Sequence, residues 1–209
     1  QLTLSTTQKV NTMKNINDKN FPRSILELYR FCSTDNNKEN LQYIDVSKSS
    51  IGETIATATD GAHLATITIP NVDISPFQLH STDAKELLKG SKSTDIFTLN
   101  DDSSTLCFKR HRVSGTYTDS RTLVTSYEFD RGEVHFPDYA QVLSSAEDNG
   151  DATKFRINTK FINTLYSYLS KIGETAVEFI TDRQFDGSPV MAKSTGDDYS
   201  LTYVVMPMR

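Results

Sequence analysis

Two cysteines, Cys32 and Cys107, are all that 209 residues carry, and neither has a second Cys or a His at metal-ligand spacing. That argues against a disulfide scaffold or a zinc module and fits a reducing, cytosolic setting. Long apolar runs are missing too. The longest, such as Tyr203-Val204-Val205-Met206, fall far short of the roughly 20 residues that span a bilayer, so no membrane role is expected. No basic-then-apolar leader opens the chain, and a start at Gln1 rather than Met is compatible with a longer gene product. The common catalytic strings are absent as well: there is no Walker A, GxGxxG, GxSxG or HExxH pattern, and His63, His80, His111 and His135 are scattered. Asp60 with His63 could form an acid–base pair, and Asp101-Asp102 or Asp197-Asp198 could hold a cation. All three read first as turns and solvated hairpin tips. The chain is therefore expected not to be an enzyme and to need no cofactor or metal.

What is present is enough apolar content, 36%, and enough length for one or two folded domains with a sizeable core. A net charge of −5 looks wrong for a nucleic-acid binder, because overall acidity repels phosphate. The charge is sorted, however. Residues 1–20 carry +2, 78–93 carry +1 and 154–172 carry +4, leaving the rest strongly acidic. Each basic stretch also holds the same pattern. Leu2/Leu4, Phe77/Leu79 and Phe155/Ile157 alternate as half-buried strands, and each is followed by a Ser, Thr or Asn suited to cap a helix.

After each strand–helix pair come segments rich in β-branched and aromatic residues: 24–32, 41–47, 53–59 and 63–69; then 95–100, 104–113 and 121–130; then 174–181, 188–194 and 198–206. Gly and Asp/Asn clusters between them predict hairpins, hence antiparallel sheets. The fold class is α+β, built from repeated strand–helix–sheet units with the helices on one face. Residues 1–143 make one complete domain of two units, the polar stretch 144–152 a linker, and 153–209 half of another domain. Lys9, Lys14, Lys85, Lys89, Lys160 and Lys171 fall on the helices, where segregated positive charge can follow a phosphate backbone without reading sequence.

Three strings carry more. Ala58-Thr59-Asp60-Gly61-Ala62-His63-Leu64-Ala65, Phe136-Pro137-Asp138-Tyr139-Ala140-Gln141-Val142-Leu143 and Tyr203-Val204-Val205-Met206-Pro207-Met208-Arg209 occur in that order. Together they resemble the bacterial DNA polymerase III beta sliding clamp, a DNA-clamp fold. The resemblance implies a ring-shaped processivity factor: sheets outside, helices lining a hole around duplex DNA, and a pocket that receives short apolar peptides of polymerase and clamp-loader proteins. It implies a homo-oligomeric ring and a cytoplasmic, nucleoid-associated location. Carried over residue by residue, the pocket comprises Thr59, Gly61, Ala62, His63 and Leu64; Pro137 and Val142; and Val204, Val205, Met206, Pro207, Met208 and Arg209, with Leu26 as a further candidate. Flexible Met beside branched Val suits such an adaptable groove.

Ala62 and His63 stand where the family has His-Arg, and Gln141 where it often has Arg, which points to a different partner preference. Three helix units stand where the family has six. A ring of twelve units then takes four chains, a two-domain clamp takes three, and a ring-less adaptor that binds the same peptides takes one.

Overall fold

The computed structural model describes residues 18–100, 105–113, 121–140, 143, 158–174, 176–181, 189–196 and 198–205. Alternation governs its strands. In β3 (Thr54–Thr59) and β4 (His63–Ile69), Ala56, Ala58, Ala65, Ile67 and Ile69 all turn to one side and are buried there, as the two-residue period requires. The hairpin between them is built by its own side chains. Asp60 Oδ1 accepts the N–H of Ala62 (2.9 Å) and of His63 (3.0 Å), while Thr59 Oγ1 accepts the Gly61 N–H at 3.1 Å. Gly61 sits at φ 88°, a left-handed conformation that favours glycine.

The first unit runs β1 (Lys19–Phe21), α1 (Arg23–Glu27), a 3-10 turn (Leu28–Phe31), then β2 (Tyr43–Lys48), β3 and β4. The second repeats it: β5 (Phe77–His80), α2 (Ser81–Leu88), β6 (Ile96–Asn100), β7 (Thr105–Val113) and β8 (Arg121–Asp130). The third has α3 (Thr159–Ile172), β9 (Glu178–Thr181), β10 (Val190–Thr195) and β11 (Ser200–Val205). Every strand pairing among the described residues is antiparallel. One sheet has the order β1-β6-β7-β8, the other β5-β2-β3-β4-β11-β10-β9. The helices lie together over one face, α1 touching both α2 and α3.

One expected strand is a helix. Residues 24–32 were expected to be extended, yet they form α1 and the 3-10 turn, because Ile25, Leu28 and Phe31 recur at three-residue spacing and all bury completely. Among the described residues the first strand–helix start is at 19; the pattern read over 2–13 lies outside them. So does the 144–152 segment. The strands beyond it join β4 in the same sheet, and one apolar core runs from Phe21 to Val205, including Leu165, Tyr168 and Leu169 of α3.

Phe31 is the knot of that core. It is fully buried, with its ring 5.3 Å from Tyr168 and 5.4 Å from Tyr203. Tyr168 donates its hydroxyl to the Ser24 carbonyl of α1 at 3.3 Å, and Tyr203 donates to the Phe161 carbonyl of α3 at 3.1 Å. Phe31→Ala opens a cavity between the first and third units and is expected to cost roughly 3–5 kcal/mol. Urea unfolding monitored by tyrosine fluorescence checks this, and a loss under 1 kcal/mol would contradict a shared core.

Candidate functional site

Because the helices cover one face of the seven-stranded sheet, the alternate residues of each strand stand on the other. Strand register lines them up across the sheet. Thr59 is opposite Leu64, Leu64 opposite Val204, Val204 opposite Met191, and Met191 opposite Ile180. Directly opposed residues of antiparallel strands share a face, so these five form one transverse row on the helix-free side. The next row is polar: Thr57, Thr66, Thr202, Lys193 and Glu178. Leu143 and Ile180 pack against Met191 and Val204 as a small apolar cluster separate from the main core.

Leu143 arrives on the segment that follows β8, which crosses this same face. Gln78 fastens the segment there: its Oε1 accepts the Val134 N–H at 2.8 Å and its Nε2 donates to the Val134 carbonyl at 2.9 Å. The same Nε2 also donates to Asp45 at 3.2 Å, and the Gly132 N–H donates to the Gln78 carbonyl at 3.1 Å. Glycine is required at 132, since a Cβ there would come within 2.7 Å of the Tyr43 ring. Burial pushes the Asp45 carboxyl above its ordinary value against the opposing pull of the Gln78 amide.

Thr59, Leu64 and Val204 are therefore brought together, with half-buried Pro137 on the crossing segment between Val134 and Leu143. Gly61 and Ala62 are exposed at the hairpin tip bordering the row. His63 and Val205 are opposed to each other on the helix side. The His63 ring lies 5.6 Å from Phe31, 5.0 Å from Phe161 and 5.8 Å from Tyr203, with Nδ1 2.8 Å from Asp60 Oδ1. Its Nε2 is buried without a hydrogen-bond partner among the described residues. Leu26 is fully buried in α1 beneath the helices, away from the row. Val142, Met206, Pro207, Met208 and Arg209 lie outside the described residues, as do Lys9 and Lys14. Met191, Ile180 and Leu143 join the row without having been marked from the sequence.

The helix side carries the opposite chemistry. Lys85, Lys89, Lys160 and Lys171 are exposed there. A groove of about 660 Å³ brings Lys85, Lys89 and Lys171 together with Arg23 and Arg30. A neighbouring groove of about 410 Å³ is lined by Arg30, Lys85, Thr82, Asn163 and Ser167. Arg30 was hidden by the extended reading of 24–32, and Arg23 stands just before that segment. Both bracket Glu27, which is 1% exposed, at 3.2 Å and 3.0 Å. Lys89 pairs with Glu86 at 3.4 Å, an exposed contact of little weight. No group of three His, Cys, Asp or Glu side chains able to hold a metal occurs among the described residues, and no helix there is long and apolar enough to cross a membrane.

Solved structures share this fold. The beta sliding clamp of C. crescentus, solved with PEG bound, is 15% identical with a TM-score of 0.64 over 96% of this chain and 68% of that one. The H. pylori beta clamp in complex with diflunisal is 13% identical, TM-score 0.64, over 92% and 65%. The DNA polymerase III beta subunit of Bartonella birtlesii bound to griselimycin is 12% identical, TM-score 0.56, over 90% and 63%. The fold is that of the sliding clamps, and the chain spans about two thirds of the length of these neighbours. No protein-family model matches the sequence, and no curated protein does.

The hairpin beside the row has a pH signature. Burial acts to raise the Asp60 carboxyl, but hydrogen bonds from His63 and from the Ala62 and His63 N–H groups outweigh it and hold the carboxyl below its ordinary value. A lowered carboxyl contributes stability that is present above the unfolded value, roughly 3.9, and is lost as pH falls through the folded one. Asp60→Asn should therefore flatten the acid limb of a stability–pH profile measured by urea unfolding. A limb identical to that of the parent chain would remove Asp60 from this role.

Proposed function

We propose that this chain is a non-enzymatic sliding-clamp homologue that holds replication proteins on duplex DNA. The observation that carries the reading is the meeting of three distant strings at one place: Leu64 from the first, Leu143 from the second and Val204 from the third form or cover one apolar row on the helix-free face. The helix face, with Lys85, Lys89, Lys160, Lys171, Arg23 and Arg30, tracks phosphate without base contacts. The apolar row receives a short apolar peptide of a polymerase or clamp-loader protein, with Met206, Pro207, Met208 and Arg209 as further proposed members of the pocket. Asp60 is committed to its turn and has no catalytic task. The working location is the cytoplasm, at the nucleoid.

DNA and peptide occupy opposite faces in this reading, so each can be lost alone. Changing Lys85, Lys89, Lys160 and Lys171 to Glu should shorten residence on circular duplex DNA and flatten the salt dependence. Residence unchanged by all four would refute the DNA-facing placement. Met206→Ala combined with Met208→Ala should weaken a clamp-binding peptide by roughly 1–3 kcal/mol in a calorimetric titration. Undiminished affinity would take these residues out of the groove.

A second reading dispenses with the ring. A ring-less adaptor or decoy would keep the peptide groove and lose DNA retention. Peptide binding with no residence on circular DNA selects it.

A further inference from the structure

The two grooves on the helix face share a border, and two cations stand on it: Arg30 and Lys85 line both. They are held very differently. Lys85 is exposed on α2, a point charge on a four-carbon stem that keeps its rotamer freedom. The Arg30 side chain is only 25% exposed and is gripped from below by Glu27, at the floor of the larger groove.

Backbone geometry makes the grip. Arg23 precedes Glu27 by four residues in α1, and Arg30 follows it by three in the tighter 3-10 turn, where residues three apart eclipse. Both guanidiniums therefore converge on one carboxylate. Arg23 brings Nε and Nη2 to Oε1 at 3.3 and 3.2 Å, and Arg30 brings Nε and Nη2 to Oε2 at 3.1 and 3.0 Å. Arg23 Nη1 donates to the Lys92 carbonyl at 2.8 Å, so all three of its nitrogens are engaged within the chain. Arg30 Nη1 has no hydrogen-bond partner among the described residues. The Arg30 guanidinium carbon also lies 5.0 Å from the centre of the Tyr29 ring, within cation–π range.

The helix itself does not call for this triad. An Arg at its first residue and a Glu at its last are the reverse of what the helix dipole favours. Burial does not call for it either, since well-packed apolar side chains are often as stable as a buried ion pair. What the triad does is hold a guanidinium by one edge and one face, leaving Nη1 for a ligand in the groove. A planar group fixed before binding gives up less freedom on contact than a mobile ammonium does.

We propose that Glu27 is a positioning residue for phosphate binding: it presets Arg30 so that Nη1 meets a backbone phosphate of duplex DNA at the border of the two grooves. Arg23 balances the second carboxylate oxygen and is itself tied down. The inference rests on the DNA reading of the helix face and deepens it, because an acid buried under a basic surface then strengthens the hold on an anion.

The sign of one substitution separates positioning from bulk charge. Glu27→Gln removes a negative charge beside the phosphate, so charge alone would tighten DNA binding and steepen its salt dependence. An amide, however, has one accepting oxygen and one donating nitrogen, and can hold only one of the two guanidiniums. Anisotropy titration of a short mixed-sequence duplex with the full chain should therefore show affinity lowered roughly three- to tenfold. Arg30→Lys keeps the charge and should weaken binding as well. In an Arg30→Ala background Glu27→Gln should cost little more, whereas a merely structural role would add its full penalty. The Arg30 Nε–H proton, slow to exchange in the parent chain, should exchange faster in Glu27→Gln, a readout that needs no DNA. Circular dichroism checks the fold, and should Glu27→Gln not fold, Arg30→Lys and the Nε–H exchange of the parent chain decide. Tighter binding by Glu27→Gln, an Arg30→Lys variant equal to the parent, additive losses, or a fast-exchanging parent Nε–H overturns the inference and leaves the DNA reading standing. A parent chain without affinity for duplex DNA overturns both.

Discussion

The ladder between β4 and β11 is the constraint on which the rest depends. Six residue pairs, from His63 opposite Val205 to Thr68 opposite Ser200, attach the third unit to the first. The pleat then sends neighbours to opposite sides: Val204 to the apolar row with Leu64, Tyr203 and Val205 to the core beneath the helices. A slip of one residue would exchange those roles and put an aromatic ring and its hydroxyl on the helix-free face. Core burial on one side therefore holds the register that assembles the other side.

The basic surface is a by-product of a similar economy. Glu27 is buried in the middle of the helix layer, where an unpaired carboxylate would be costly, and it is held by guanidiniums from one turn on either side. Both arginines reach it from the rim, so their positive charge still borders the groove shared with Lys85 and Lys171. Satisfying one buried acid thus helps to orient the cationic lining. The acidic remainder of the chain is left to the sheets and loops.

Much of the fold was readable because runs rich in β-branched and aromatic residues bounded by turn residues mark strands: β3, β4 and β8 fall within a residue of their expected bounds. Residues 24–32 misled because Ile, Leu, Tyr and Phe dominate them by composition, although Pro22 and the 25/28/31 spacing already favoured a helix. The site was half readable. A matched string lists its members without saying which way each points, and His63 shares parity with Ala65, Ile67 and Ile69, which alone places it on the core side. Met191 and Ile180 were out of reach, because only the β9–β10–β11 register sets them beside Val204. Arg23 and Arg30 were missed for want of the helix that carries them.

The same ladder also fixes when the apolar row can form. β4 and β11 belong to the early and late parts of the chain, so their pairing waits for a large loop to close, and contacts of such long range form slowly. During synthesis the first two units can fold on each other as soon as β8 has emerged, yet Leu64 then faces solvent without Val204. A partially translated chain would thus own a finished basic helix pair and an unfinished apolar row. Completion of the row thereby waits for β11.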